Sequence, residues 1–174
     1  MKTKKGFSVV ELLVVLAVLA VVVTMTARVG ESVTANSRIT GLVNNFLADY
    51  SSAKLLASTE NRYVAITFSG DGNSYTLQKQ TDITHFNDWT PVKTVTPFTD
   101  RPFFNPGEVS DFAVNSTGAV RLLKSDGTPD MTTAVGTISQ NFYIRKGRGG
   151  AGDPVVYSRT IQIFPYGGLK VEKH

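Results

Sequence analysis

Residues 5–23 read KGFSVVELLVVLAVLAVVV: a lysine, a glycine, one carboxylate at Glu11, and then twelve uninterrupted apolar residues from Leu12 to Val23. Extended to Ala27, the segment beginning at Phe7 holds 21 residues with a single charge. As a helix it would be about 31 Å long, close to the hydrocarbon thickness of about 30 Å. The pattern predicts a transmembrane helix over 7–27. Lys2, Lys4 and Lys5 precede it, while Arg28 and Glu31 follow as a balanced pair. Positive charge is retained on the cytoplasmic side, so the N-terminus is expected in the cytoplasm and the rest of the chain outside it.

Glu11 needs its own reason. A secretory signal peptide would require small residues at a cleavage site after the apolar run, and TMTARVGES at 24–32 offers no A-x-A. A plain anchor explains neither Gly6 nor Glu11. Ser8-Val9-Val10-Glu11 fits the capping box S-x-x-E, a device worth about 1 kcal/mol. A charge in a membrane span costs about 2.5–3.5 kcal/mol at its centre and less toward its edge. The cap alone compensates this poorly, which points to a stronger partner for the carboxylate.

Lys5-Gly6-Phe7-Ser8-Val9-Val10-Glu11-Leu12-Leu13 resembles the signal of type IV pilins and type II secretion pseudopilins. The resemblance implies that a prepilin peptidase cuts between Gly6 and Phe7, that the new N-terminus at Phe7 is N-methylated, and that Glu11 serves subunit assembly. The physics agrees with that last role. Cleavage leaves an amine on Phe7, and in a packed bundle of low dielectric an amine and a carboxylate from neighbouring subunits cancel where either alone would be costly. Many members carry a proline where this chain has Arg28. Here the softer points are Gly30 and Gly41.

Beyond the stem, Ile39, Leu42, Val43, Phe46, Leu47, Tyr50, Ala53 and Ala57 recur at spacings of three and four, one apolar stripe on a helix. Asn44, Asn45, Asp49 and Lys54 fall largely off it. With no proline before Pro91, a helix is expected from Phe7 to about Thr59, its second half lying against a sheet. After residue 60 the period becomes two. Tyr63–Phe68, a turn at Gly70-Asp71-Gly72-Asn73 and Ser74–Gln78 read as a hairpin. Further strands are predicted at 112–114, 119–123, 138–144, 155–164 and 169–172, giving an antiparallel sheet of about six or seven strands. Thr81 to Gly107, holding Pro91, Pro97, Pro102 and Pro106, reads as a long excursion. Its Trp89, Phe98, Phe103 and Phe104 are expected to pack onto the sheet in preference to serving as contact residues.

The fold class is therefore α+β: a long N-terminal helix, transmembrane in its first half and amphipathic in its second, packed on a C-terminal antiparallel β head. The domains are a leader at 1–6, a span at 7–27, an amphipathic half at 28–59 and the head at 60–174. Phe112–Val120 (FAVNSTGAV), Arg159–Ile163 and Gly167–Val171 also resemble the GspH/FimT-type pseudopilin domain, which favours a minor subunit. Taken with the signal, this implies the inner membrane, then a pilus or pseudopilus, with prepilin peptidase, membrane lipid and other pilins as partners.

The residues exclude several chemistries. There is no cysteine, hence no disulfide, thiolate site or Cys nucleophile. His85 and His174 are the only imidazoles. G-x-S-x-G is absent, and no carboxylate pair has acid–base spacing. Asp71-Gly72-Asn73 and Asp126-Gly127 suit hairpin turns better than calcium loops. No enzyme activity, cofactor or metal is expected. The formal charge of +4 falls to +1 without the three leader lysines, so the basicity belongs mostly to the leader. The one basic cluster is Arg145, Lys146 and Arg148 beside the Gly-rich run 147–152, with Arg159, Lys170 and Lys173 following. Some FimT-like minor pilins bind DNA through a C-terminal Gly-Arg-x-Arg; Gly167-Gly168-Leu169-Lys170 keeps only Lys170 of its two basic positions. A nucleic-acid-binding pilin of a DNA uptake system, using Arg145, Lys146, Arg148 and Lys170, is the alternative reading.

Overall fold

A computed structural model describes residues 9–98, 102–132, 136–145 and 154–174, the side chains of 24–32 excepted. The chain divides into two units, Met1–Ser37 and Arg38–His174, and helix α1 (Val9–Glu60) contributes to both.

Within the second unit α1 buries its stripe. Ile39, Leu42, Val43, Phe46, Tyr50, Ala53 and Ala57 are all buried, because residues three and four apart share one helix face. Leu47 is only half-buried. Asp49 departs from expectation: it lies three residues after Phe46, within the stripe, and is buried. The helix ends at Asn61, which takes the left-handed conformation with φ 52°. The Arg62 N–H then donates to the Ala57 carbonyl at 3.1 Å, the closing bond of a Schellman cap.

Eight strands follow among the described residues, all paired antiparallel. They are β1 (Val64–Phe68), β2 (Tyr75–Asp82), β3 (His85–Val95), β4 (Phe112–Val114), β5 (Val120–Leu122), β6 (Ile138–Arg145), β7 (Val155–Ile163) and β8 (Leu169–Lys173). They form two sheets, ordered β3-β2-β1-β4-β5 and β6-β7-β8, not the single sheet of six or seven strands predicted. The Phe46 ring lies 6.1 Å from Phe68, 5.4 Å from Tyr75 and 5.1 Å from Phe142, so one helix side chain contacts both sheets.

The first half of the expected excursion at 81–107 is a strand. β3 runs eleven residues and pairs with β2. Pro91 is tolerated because β3 is an edge strand, where a missing N–H leaves no ladder bond broken, and because the register shifts at Leu77/Gln78, beside its partner Gln78. Threonine pairs reinforce the edge: the hydroxyls of Thr76 and Thr94 lie 3.2 Å apart and those of Thr81 and Thr90 2.7 Å. Phe103 and Phe104 are fully buried, and the Trp89 indole N–H donates to the Gly127 carbonyl at 2.9 Å; these aromatics pack inward as expected. The Phe103 N–H donates to Gly72 O at 2.9 Å, and Phe103 O accepts from the Tyr143 N–H at 2.8 Å, tying the β1–β2 turn to β6. Gly72 is required here: it has φ +76°, and a Cβ on it would stand 2.5 Å from Phe104 O.

Candidate functional site

The stem is decided by exposure. Val9, Val10, Leu12, Leu13, Val14, Val15, Leu16, Val18, Leu19, Val21, Val22 and Val23 are all exposed, from 47% at Val15 to 74% at Val9. These positions run right round a helix, so no single face could bury them against one neighbour. An all-round apolar helix has to be covered by lipid or by other helices. Glu11 lies in the first turn, where a negative charge interacts favourably with the helix dipole, and its side chain is exposed among these apolar groups.

Residues 1–27 match the prokaryotic N-terminal methylation motif. The motif supports a type IV pilin-like subunit of a pilus or pseudopilus, cut by a prepilin peptidase and assembled with other pilins. Neither a curated protein nor a solved structure matches the chain. Gly6 and Phe7, the methylation motif's expected cleavage pair, lie outside the described residues. Among the described residues no helix is long and apolar enough to cross a membrane. The expected span 7–27 reaches past them at its start, and the side chains of 24–27 lie outside them at its end.

Of the basic residues expected to cluster, the described ones, Arg145, Arg159, Lys170 and Lys173, are scattered. Lys146, Arg148 and the Gly-rich run 147–152 lie outside the described residues. Lys170 pairs with Gln162, which pairs with Ser139. Arg145 lies six residues further along β6, about 20 Å at the rise of a strand. The Lys170 ammonium is bonded to Glu172 at 2.7 Å, and the Arg145 guanidinium carbon lies 4.7 Å from the centre of the Tyr143 ring. Arg159 and Lys173 are opposite each other on the alternate register from Lys170, so they face the other side of the sheet, and Arg159 is buried.

The turn acids serve the backbone. Asp71 Oδ1 accepts from the Ser69 hydroxyl at 2.5 Å and from the Asn73 N–H at 3.0 Å. Those bonds, the hydroxyl first, hold its carboxyl below the ordinary value. Asp126 Oδ1 likewise accepts from the Thr128 hydroxyl at 2.6 Å and N–H at 2.9 Å, with Gly127 left-handed beside it at φ 79°. Among the described residues no three His, Asp or Glu side chains are grouped to hold a metal.

Sequence reasoning missed a charge cluster built on the buried Asp49. Asp49 Oδ2 accepts from the Tyr75 hydroxyl at 2.8 Å, and Oδ1 meets the Lys93 ammonium at 2.5 Å. The cluster clamps the edge strand β3 and its neighbour β2 to α1. Burial foremost, then the Asp49 carboxylate, pushes the Tyr75 phenol well above its ordinary value. The spacing Phe46-Asp49-Ala53 held the signal. A second set of ties fixes the β7–β8 hairpin: Gly167 O accepts from the Tyr50 hydroxyl at 3.2 Å and from the Lys54 ammonium at 3.1 Å.

Proposed function

We propose that the chain is a minor, GspH/FimT-type subunit of a type II secretion pseudopilus or type IV pilus. It enters the inner membrane through residues 7–27, N-terminus in the cytoplasm, is cut between Gly6 and Phe7, and is methylated at Phe7. The stem then leaves lipid for the filament core, where Glu11 of one subunit neutralises the Phe7 amine of the next. Its work is assembly and transmission of force, with no catalysis. The observation that carries this reading is the methylation motif over residues 1–27, running into a helix whose large apolar side chains are all exposed between Val9 and Val23.

Glu11→Ala tests the assembly step. The variant should insert and be cleaved like the natural protein, yet disappear from sheared filaments by immunoblot. Normal filament content would return Glu11 to a local helix cap.

A further inference from the structure

The β6–β7 pair carries a cleft of about 280 Å³ lined by Glu108, Asn141, Tyr143, Val155, Ser158 and Thr160. Register builds it. Tyr143 stands opposite Ser158, and Asn141 opposite Thr160. Both pairs lie on the alternate side from Gln140 and Ile161, a fully buried pair of the core face. Side chains directly opposite are about 5 Å apart and those two residues along about 7 Å, so the four form a small lattice. Glu108 forms its wall from a single 3₁₀ turn, Pro106–Glu108, in which the Asn105 amide nitrogen donates to Glu108 Oε1 at 3.2 Å. The turn is anchored to β6 by the buried Gln140, whose side chain accepts from the Ser110 N–H at 3.1 Å and donates to Ser110 O at 2.7 Å.

The polar atoms define the ligand chemistry. The Thr160 hydroxyl donates to Asn141 Oδ1 at 2.8 Å, which leaves both amide hydrogens of Asn141 to donate outward. Ser158 adds a hydroxyl that both donates and accepts, and Glu108 adds a carboxylate acceptor. The half-exposed Val155 gives one apolar side. Glu108 is the one formal charge among the lining residues, while the Arg145 guanidinium stands over the Tyr143 ring and the His174 Nε2 lies 3.1 Å from the Thr160 hydroxyl. With charge of both signs at its edge the cleft selects neither an anion nor a cation, and a single carboxylate is too few ligands for a metal ion. The volume sits at the small end of ligand pockets and below what a folded peptide segment needs. A ring bearing several hydroxyls and one apolar C–H face meets all of these groups. We propose that this cleft binds a neutral sugar residue.

The test uses the full chain in a zwitterionic detergent without sugar headgroups. Saturation-transfer NMR is run with glucose, galactose, mannose and N-acetylglucosamine, and co-sedimentation with cellulose, chitin and peptidoglycan separates a free sugar from one carried on a polymer. At least one neutral sugar should bind saturably, in either arm. Ser158→Ala and Glu108→Gln should each weaken that binding about fivefold or more, in line with one lost hydrogen bond, with far-UV circular dichroism unchanged. Glu108 lies on an exposed turn, so its variant reports even if the strand variant misfolds. No saturable sugar binding in either arm, or binding that both variants leave intact, overturns the proposal.

Discussion

One helix, α1, contributes to two regions that face opposite problems. Between Val9 and Val23 its large apolar side chains are exposed; between Ile39 and Ala57 it buries a single stripe and turns Asn44 and Asn45 outward. The difference lies in periodicity alone. An unbroken apolar run has no polar face to show to water, so its stability depends on what surrounds it. A three-and-four stripe carries its own partner in the same chain. The stem is thus built to be completed by something else, and the head to stand by itself.

The comparison breaks most visibly at Phe46. Phe46→Ala removes a ring that contacts Phe68, Tyr75 and Phe142 and should cost about 3–5 kcal/mol in denaturant unfolding of the head. Leu16→Ala, at a stem position 54% exposed, should change that unfolding by no more than about 0.5 kcal/mol. Equal losses would mean that the stem helps to hold the head together.

A smaller effect is expected at Asp49. Asp49→Ala leaves the Tyr75 hydroxyl and the Lys93 ammonium without their shared acceptor. Lys93 is half-exposed and recovers water, so the loss should be about 2 kcal/mol, again by denaturant unfolding. No loss would show that packing alone holds β3.

The smallest effect is alkaline. Burial pushes the Tyr50 hydroxyl, which bonds Gly167 O, from 10.0 to about 12. The folded state keeps this proton after the unfolded chain has released it, so the contribution is whole below pH 10.0 and declines as pH rises toward about 12. Ultraviolet titration of the phenols should show two late groups that shift back on unfolding, Tyr50 and, later still, Tyr75, and Tyr50→Phe should remove the earlier of them.

Much of this was legible because it is local. The methylation signal over 1–27, the stripe on α1, the Asp-Gly turns and the strand from Phe112 to Val114 all follow from neighbours within a few residues. What escaped depends on distant pairing. Pro91 reads as a breaker until β3 is known to lie at an edge, and Asp49 reads as surface until Tyr75 and Lys93 arrive from β2 and β3. No local pattern tells β6–β8 that they form a separate sheet. The cleft at Asn141 and Tyr143 exists only through the β6–β7 register, and that same register sets Arg145 and Lys170 far apart along the sheet.

The most direct test of the central claim is the mass of the mature N-terminus, taken from cells that express a prepilin peptidase. The expected chain begins at Phe7 and carries one methyl group on its amine. A chain that still begins at Met1, or one trimmed near residue 30, would contradict it.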